Sequence, residues 1–286
     1  MANVLEIKDL CKEYDSFSLK NVSFSLPQGY IMGLIGPNGA GKTTTIKLML
    51  NMLNKKEGSI KILGLDSISF QNKIKESIGA VFDANYFVQD WTIKEVEKAI
   101  GMFYSNWDSN KYKSMIRRFG LNSDKKVKEL SRGMQMKLML ACAFSHDAKL
   151  LILDEPTSGL DPVARDELLD VLSEFIEDGK RSVLFSTHIT SDLDKIADYI
   201  TFINNGTVFY TGTKDEFVNG FRIVKGGKDE ITSEQANKII GIRKYSSGFE
   251  GLIKTSDIRS FSHLNCEATT IDEIIVFTSK GGNNNE

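Results

Sequence analysis

The chain contains the stretch Gly36-Pro37-Asn38-Gly39-Ala40-Gly41-Lys42-Thr43-Thr44, whose glycine spacing and Lys-Thr pair are typical of a phosphate-binding loop. An apolar, strand-like run at 30–35 comes directly before the loop, and a helix-like run at 44–50 follows it. A strand, this loop and a helix in that order form the context in which such a loop binds phosphate. We therefore predict an α/β fold of the P-loop NTPase type that takes a nucleoside triphosphate.

Each residue type in the loop has a physical reason. Gly36, Gly39 and Gly41 permit positive φ and close approach, so that backbone N–H groups turn toward phosphate oxygens at a helix N-terminus. Lys42 then reaches the β and γ phosphates, and the hydroxyl of Thr43 supplies an oxygen to Mg2+, a hard cation that takes few protein ligands. We expect the whole quoted stretch to contact ATP with Mg2+, although these residues do not exclude GTP.

A second motif predicts the catalytic groups. The apolar run Leu150-Leu151-Ile152-Leu153 ends in Asp154-Glu155-Pro156, which is typical of a buried parallel strand that carries two carboxylates at its C-terminal end. Ligands of open α/β sheets bind at that edge. We predict that Asp154 holds Mg2+ through water and that Glu155 orients and deprotonates the attacking water.

Further short motifs appear in a recognisable order along the chain. They are Leu130-Ser131-Arg132-Gly133-Met134-Gln135, Ser158-Gly159-Leu160-Asp161 and Ser186-Thr187-His188. With the loop and the acidic strand end, they resemble the signature, D-loop and switch histidine of the ATP-binding cassette (ABC) ATPases. The resemblance covers about residues 1–220 and implies the ABC ATPase fold, with a helical signature subdomain at about 84–145.

The resemblance also implies that two subunits share each nucleotide. In the family the signature contacts the γ phosphate of a nucleotide held by the opposite subunit, so Ser131 and Gly133, with Asp161 of the D-loop, are expected to bind nucleotide across a dimer. Arg132 and Met134 depart from the family's glycine and glutamine, which leaves the rate of hydrolysis open. The dimer is expected to be a homodimer or a heterodimer with a paralogous ATPase.

Three other positions gain expected roles from the resemblance. His188 is expected beside the γ phosphate and the attacking water, where a neutral imidazole both donates and accepts a hydrogen bond. Tyr14 falls where the family stacks an aromatic ring on adenine, although a core position is the alternative. Asp83 occupies the place of the family's Q-loop glutamine, so we predict it as a further ligand of Mg2+, at the cost of added negative charge beside the phosphates.

The expected partner is a separate transmembrane permease subunit. The spacing of Thr92 and Glu95 predicts a capping box at the start of a helix. Aromatic residues are dense around that helix, and most are expected to fill a small core while some form a groove. They are Tyr86, Phe87, Trp91, Phe103, Tyr104 and Trp107. In the family, such a groove receives a short helix of the permease.

Composition narrows the class of protein. A formal net charge of −2, with 26% charged residues, gives no electrostatic case for nucleic acid, so no nucleic-acid partner is expected. The cysteines, Cys11, Cys142 and Cys266, are few and odd in number, which favours free thiols in a reducing compartment. The sequence shows neither a signal-peptide pattern nor an apolar run of transmembrane length. We therefore expect a peripheral protein on the cytoplasmic face of the membrane, held there by the permease.

The sequence pattern changes in the C-terminal part of the chain. A strand pair is predicted at 199–203 and 207–210 around the turn Asn205-Gly206, and it closes the nucleotide-binding unit at about residue 220. Residues 221–280 are expected to form a small α+β accessory domain that ends in a helix at 270–277, and 281–286 a disordered tail. The accessory domain could support a dimer, regulate activity or serve stability alone.

The function expected from the sequence is the ATP-binding and ATP-hydrolysing subunit of an ABC transporter, and export is the favoured direction. The alternative is a soluble ABC ATPase with a regulatory or translation-linked role. Translation-type members usually carry two cassettes in one chain, and DNA-repair members insert long coiled coils, whereas this chain shows one cassette and no heptad insert.

Overall fold

The fold is built from alternating strands and helices in a computed structural model that describes residues 2–83, 86–228 and 230–281. The strands of the described residues are β1 (Asn3–Glu13), β2 (Ser18–Pro27), β3 (Ile31–Ile35), β4 (Glu57–Ile62), β5 (Leu65–Asp66), β6 (Ile78–Val81), β7 (Leu150–Asp154), β8 (Ser182–Thr187), β9 (Tyr199–Asn204), β10 (Thr207–Thr213), β11 (Phe221–Gly226), β12 (Ile240–Lys244), β13 (Phe249–Lys254) and β14 (Asn265–Ala268).

The helices of the same residues are α1 (Lys42–Met49), α2 (Gln71–Ser77), α3 (Ile93–Gly101), α4 (Ser109–Arg118), α5 (Arg132–Phe144), α6 (Pro162–Phe175), α7 (Thr190–Ile196), α8 (Lys214–Asn219), α9 (Ser233–Lys238) and α10 (Ile271–Gly281). Short 3-10 turns lie at Val127–Glu129 and Thr255–Phe261. None of these helices combines the length and the apolar character needed to cross a bilayer.

A six-stranded sheet in the order β10-β9-β3-β8-β7-β6 forms the centre of the molecule. Its strands from β9 to β6 run parallel, and β10 adds an antiparallel edge through the hairpin predicted at Asn205-Gly206. Parallel pairing of β3, β8 and β7 places their C-terminal ends at one edge. The phosphate loop, the acidic pair and the switch histidine segment therefore meet there.

Alternation of side chains along these strands builds two cores, one on each face of the central sheet. In β7, Leu151 and Leu153 belong to the core that includes α5 and α6, while Leu150 and Ile152 belong to the core under α1 and the N-terminal sheet. Because successive side chains of a strand point to opposite faces, a strand covered on both sides must be apolar throughout. This explains the continuous apolar run before Asp154.

A four-stranded antiparallel sheet in the order β2-β1-β4-β5 covers one side of the nucleotide-binding unit. On the other side, α3, α4 and α5 enclose a small core with Ile93, Tyr112 and Ile116 at its centre. The capping box predicted at Thr92 is confirmed, since Thr92 accepts a hydrogen bond from the N–H of Glu95 and the Glu95 carboxylate accepts one from the N–H of Thr92. The sequence therefore located the start of α3 correctly.

The aromatic residues near α3 divide between core and surface. Phe87, Trp91 and Trp107 pack against the helical core, as expected of most of the group. Phe103 and Tyr86 are 76% and 69% exposed, respectively. Part of this aromatic cluster is therefore available on the surface.

The C-terminal residues form a third sheet, in the order β12-β13-β11-β14, that is antiparallel throughout. The helix predicted at 270–277 is confirmed as α10 and extends to Gly281. Three of its side chains, Ile271, Ile274 and Phe277, join the same core as the central sheet. The rest of the predicted tail, 282–286, lies outside the described residues.

His146 links the helical segment to the central sheet. It lies between α5 and β7 with only 2% of its surface exposed, and its ring stacks on Tyr104 with centroids 3.9 Å apart. Its Nδ1 is 3.3 Å from the carbonyl oxygen of Glu76, so that nitrogen carries the proton and donates. Burial lowers the pKa of His146 and keeps the imidazole neutral near pH 7.

Stability should fall as the pH decreases below about 6.5, the pKa of His146 in the unfolded chain. In that range the unfolded chain binds the proton that the folded chain excludes, so the free energy of unfolding increases with pH by at most about 1.4 kcal/mol per unit. His146→Phe retains a ring against Tyr104 and should flatten this slope in urea unfolding between about pH 7.5 and 5.5. His263→Phe, at an exposed position, is the control. An unchanged slope in His146→Phe would show that this histidine does not carry the effect.

Candidate active site

The phosphate loop connects β3 to α1, as the sequence predicted. Gly36, Gly39 and Gly41 adopt φ values of 156°, 79° and 113°. A Cβ atom at Gly36 would lie 2.2 Å from the carbonyl oxygen of Ile203, so no side chain fits there. Gly41 precedes the first turn of α1 without a side-chain cap, so that the N–H groups of this turn remain available to an anion.

Lys42 is held at the mouth of the loop. Only 6% of it is exposed, and its Nζ donates to the carbonyl oxygens of Gly36 and Pro37 at 2.8 and 3.4 Å. The same nitrogen lies 3.5 Å from Oε1 of Glu155. A buried ammonium group is therefore fixed between the loop and the acid that follows β7.

One hydroxyl organises the two carboxylates at the end of β7. Ser186 of β8 donates to Oδ1 of Asp154 at 2.6 Å and accepts from the backbone N–H of Glu155 at 2.9 Å. Thr43 also donates to Oδ1 of Asp154, at 3.1 Å. Glu155 adopts φ of +50°, and its carboxylate contacts Lys42 and His188, whereas that of Asp154 accepts from Thr43 and Ser186. The sequence grouped Ser186 with His188 but gave it no role.

His188 lies directly beside Glu155. Its Nδ1 is 2.7 Å from Oε2 of that carboxylate, and the side chain is 49% exposed. The two oxygens of Glu155 therefore face different groups, Lys42 on one side and His188 on the other. This arrangement fixes the orientation of Glu155 and leaves His188 accessible from the cleft.

These groups surround a cleft of about 790 Å³. It is lined by Tyr14, Ser16, Phe17, Asn38, Gly39, Gly41, Lys42, Thr43, Thr44, Asp83, Glu155, Ser158 and His188. Tyr14 is 43% exposed and stacks on Phe17 with ring centroids 6.5 Å apart, and Lys12 lies 5.3 Å from the centre of the Tyr14 ring. Tyr14 is thus at the surface of the cleft instead of in a core. The sequence did not single out Phe17.

Ser158 of the D-loop lines the cleft, whereas the expected signature contacts and Asp161 lie elsewhere. Ser131, Gly133 and Asp161 are not among the residues that line the described cleft. Ser131 accepts a hydrogen bond from the N–H of Met134 and so caps α5. Asp161 accepts from the N–H groups of Ala164 and Val163 and so caps α6. The hydrogen bond from Ala164 is the main cause that lowers the pKa of Asp161.

Asp83 does reach the cleft, and its carboxylate forms an ion pair with Arg132 of α5. Within the described ranges, no cluster of three or more His, Cys, Asp or Glu side chains is arranged to hold a metal ion. The oxygens of Thr43 and Asp154, 3.1 Å apart, are the hard donors that lie together at the phosphate loop.

A buried acid behind the site was not anticipated from the sequence. Asp192 is fully buried and accepts hydrogen bonds from Thr157 at 2.6 Å and from Nε of Arg165 at 2.5 Å. It thereby joins the segment after Glu155 to α6 and α7. A buried carboxylate is retained only when it is paired in this way.

Comparison with known proteins identifies the family. A sequence model described as ABC transporter matches residues 19–158. The chain is 35% identical over 208 residues to the uncharacterized ABC transporter ATP-binding protein YdbJ of Bacillus subtilis, covering 72% of this chain and 68% of that protein. The chain belongs to the ATP-binding proteins of the ABC transporter family.

Other comparisons agree with this assignment. The ABC protein is 33% identical over 208 residues to the lantibiotic transport ATP-binding protein SrtF of Streptococcus pyogenes, covering 72% of this chain and 89% of SrtF. A solved ATP-binding subunit of an ABC transporter superposes with a TM-score of 0.68 at 30% identity, over 74% of this chain and 91% of that one.

A dimeric ATP-binding cassette solved with ADP and phosphate, MJ0796, has the same fold at 21% identity and a TM-score of 0.65. The superposition covers 73% of this chain and 98% of the MJ0796 chain. The ABC ATPase fold and the ATPase class predicted from the motifs are therefore confirmed.

Proposed function

We propose that two copies of this ABC ATPase, or one copy and a paralogue, close on Mg-ATP and that hydrolysis drives a separate membrane permease in export. The observation that supports the proposal is the set of contacts around Glu155, which is held by Lys42 and His188 at one end of a cleft lined by the phosphate loop.

Nucleotide binding is assigned to the loop and to the aromatic end of the cleft. The N–H groups of the loop and the ammonium of Lys42 face the β and γ phosphates, since both are positive and converge at the start of α1. The exposed ring of Tyr14 stacks on the base, because it lines the same cleft as Lys42 and the phosphate loop. Stacking of this kind discriminates weakly among purines.

The metal is assigned to Thr43 and Asp154. Their oxygens lie together at the end of β7, and Ser186 fixes the carboxylate, which suits a cation that keeps most of its water ligands. When bound, Mg2+ neutralises charge on the phosphates. The metal is not assigned to Asp83, the further ligand predicted from the sequence, because its carboxylate on the cleft wall is engaged by Arg132.

The hydrolytic step is assigned to Glu155 with His188. The carboxylate accepts a proton from the attacking water while Lys42 and His188 keep it aimed into the cleft. His188 is half-exposed and thus able to hydrogen-bond the γ phosphate or the water. Because most of the catalytic effect in phosphoryl transfer comes from positioning and charge, this fixed geometry is the important feature.

A dimer is assigned because the signature does not reach its own cleft. Ser131 caps α5 and Gly133 follows it, but neither lines the cleft of the same chain. Their placement supports contact with a nucleotide held by a second subunit, with Asp161 beside them. The same reasoning does not distinguish a homodimer from a heterodimer.

The permease is assigned to an apolar groove between the helical segment and the central sheet. The groove has a volume of about 300 Å³, and Met52, Phe82 and Tyr104 are among its lining residues. Met52 is 50% exposed, and Tyr86 packs edge-on against Phe82 and is 69% exposed. An exposed apolar groove of this kind fits a helix of a partner. Docking there would place the chain at the cytoplasmic face of the membrane.

Export is inferred from the relatives. SrtF is named for lantibiotic transport, and BcrA of Enterococcus faecalis, 29% identical over 209 residues, is named for bacitracin transport. The nature of the cargo is not part of the proposal, because cargo is bound mainly by the permease.

Glu155→Gln should lower steady-state ATP hydrolysis by about a hundredfold or more while Mg-ATP binding persists, because the amide keeps the size of the side chain but accepts no proton. The measurement pairs phosphate release with a fluorescence titration of nucleotide. Glu177→Gln, at an exposed position after the end of α6 that does not line the cleft, should leave both quantities unchanged. Turnover at the parent rate in Glu155→Gln would show that the base is another group.

Ser131→Arg should suppress hydrolysis while a dilute single chain still binds nucleotide, because the signature acts in the site of the other subunit. Ser109→Arg, at the exposed start of α4, is the control. Mixing Ser131→Arg with Lys42→Ala chains should restore activity, since each mixed dimer contains one intact composite site. Random pairing predicts about a quarter of the parent rate. No recovery on mixing would contradict a shared site.

Met52→Asp should reduce co-purification of a multi-span membrane protein from detergent extract, because it places a charge in the apolar groove. Val276→Asp, also at an exposed apolar position but on α10, should not. Mass spectrometry identifies the recovered polypeptide. Recovery of ribosomal proteins in place of a membrane protein would favour the alternative, a translation-linked ABC ATPase.

A further inference from the structure

Two residues that depart from the family pattern are in direct contact. Asp83, in place of the Q-loop glutamine, follows β6, and Arg132, in place of a signature glycine, begins α5. They are 49 positions apart in the chain, yet the guanidinium group donates a hydrogen bond to Oδ1 of Asp83. In the sequence the two departures from the family pattern are unrelated, and only the structure shows that the two side chains are in contact.

Arg132 is confined on a second side by the D-loop. A Cβ atom added to Gly159, which has φ of +70°, would lie 3.2 Å from the guanidinium carbon of Arg132. The guanidinium group therefore lies directly over this glycine. Since Ser158, the preceding residue, lines the cleft as Asp83 does, Arg132 bridges two segments of the cleft wall.

The negative charge of Asp83 would be unfavourable at its position in the cleft. It lines the same cleft as Lys42 and the phosphate loop, where a polyphosphate is proposed to bind. A second carboxylate on that wall, besides Glu155, repels the phosphates unless a cation offsets it. Arg132 is the cation that contacts it in the described residues.

We propose that Arg132 is a positioning residue for nucleotide binding in its own chain: it neutralises Asp83 and holds the carboxylate against the D-loop, away from the phosphates. This inference rests on the proposed placement of Mg-ATP in the cleft. It assigns to the third signature position a role within one subunit, in addition to the contact of the signature with the other subunit. The two departures from the family pattern thus compensate for each other.

Two simpler explanations of the contact between Asp83 and Arg132 predict different effects on nucleotide affinity. An exposed ion pair with no further role contributes little to stability and nothing to nucleotide affinity. An Asp83 that binds Mg2+ directly would make its loss weaken Mg-ATP binding whether or not Arg132 is present. A double-mutant cycle distinguishes these cases because it measures the coupling between the two positions in nucleotide affinity.

The experiment compares the parent, Arg132→Ala, Asp83→Asn and the double variant as dilute single chains. Each is titrated with a fluorescent ATP analogue in the presence of Mg2+. We expect Arg132→Ala to weaken binding about threefold to tenfold, because it leaves an uncompensated carboxylate beside the phosphates. Asp83→Asn should bind at least as well as the parent, and the double variant should return to within about twofold of the parent.

A matched control is available in the same chain. Arg118 of α4 pairs with Glu174 of α6, and the two side chains are 47% and 46% exposed, close to the 44% and 53% of Arg132 and Asp83. Arg118 does not line the cleft. Arg118→Ala should therefore leave nucleotide affinity unchanged. Arg132→Lys should recover part of the affinity lost in Arg132→Ala, because it restores the charge without the planar group.

The outcomes separate this inference from the proposed function. If the parent fails to bind Mg-ATP, the proposed function fails. If the parent binds but the losses in Arg132→Ala and Asp83→Asn simply add in the double variant, the coupling is absent and this inference alone is overturned. A loss of affinity in Asp83→Asn with Arg132 present would likewise overturn it and favour direct binding of Mg2+ by Asp83. Thermal unfolding of each variant excludes loss of fold as the cause.

Discussion

The hydrogen bonds of Ser186 hold the acidic end of the site together. Its hydroxyl donates to Asp154 and accepts from the N–H of Glu155, so a single oxygen fixes a side chain of one acid and the backbone of the next. This is possible because β7 and β8 pair in parallel with Asp154 opposite Ser186. A shift of that register by one residue would turn the hydroxyl to the other face of the sheet and leave Asp154 without its strongest donor.

Electrostatic balance in the cleft follows from this anchoring. Lys42 is almost fully buried, and it is accompanied by two carbonyl oxygens and one oxygen of Glu155. Burial of an unpaired ammonium would be unfavourable, whereas here polar partners replace its water. An arriving triphosphate would exchange some of these partners for phosphate oxygens. The loop is therefore already arranged for an anion, and little reorganisation accompanies binding.

The local sequence pattern was sufficient to predict those parts of the fold in which each residue's environment is set by its neighbours in the chain. The loop between β3 and α1, the buried strand before Asp154, the capping box at Thr92 and the turn at Asn205-Gly206 all belong to this group. The ABC ATPase fold and class followed from them. The roles of individual site residues stay predictions.

Contacts between distant segments could not be derived in the same way. Ser186 gains its partners only through the register of β7 and β8, and Asp192 gains Thr157 and Arg165 only through the packing of α6 against α7. The contact of Asp83 with Arg132 depends on how the helical segment meets the sheet. A single sequence shows which residues are charged, but it does not show which charged side chains are in contact. For the same reason, the strand order of the C-terminal sheet could not be predicted from the sequence.

The packed aromatic rings beside the C-terminal sheet have a mechanical consequence. Phe202 of β9 packs against Phe209 and Phe217, and both of these pack against Phe221 at the start of β11. Because β9 pairs with β3, these rings connect the C-terminal sheet to the strand that precedes the phosphate loop. A displacement of the C-terminal sheet would be transmitted to that strand through these closely packed aromatic side chains.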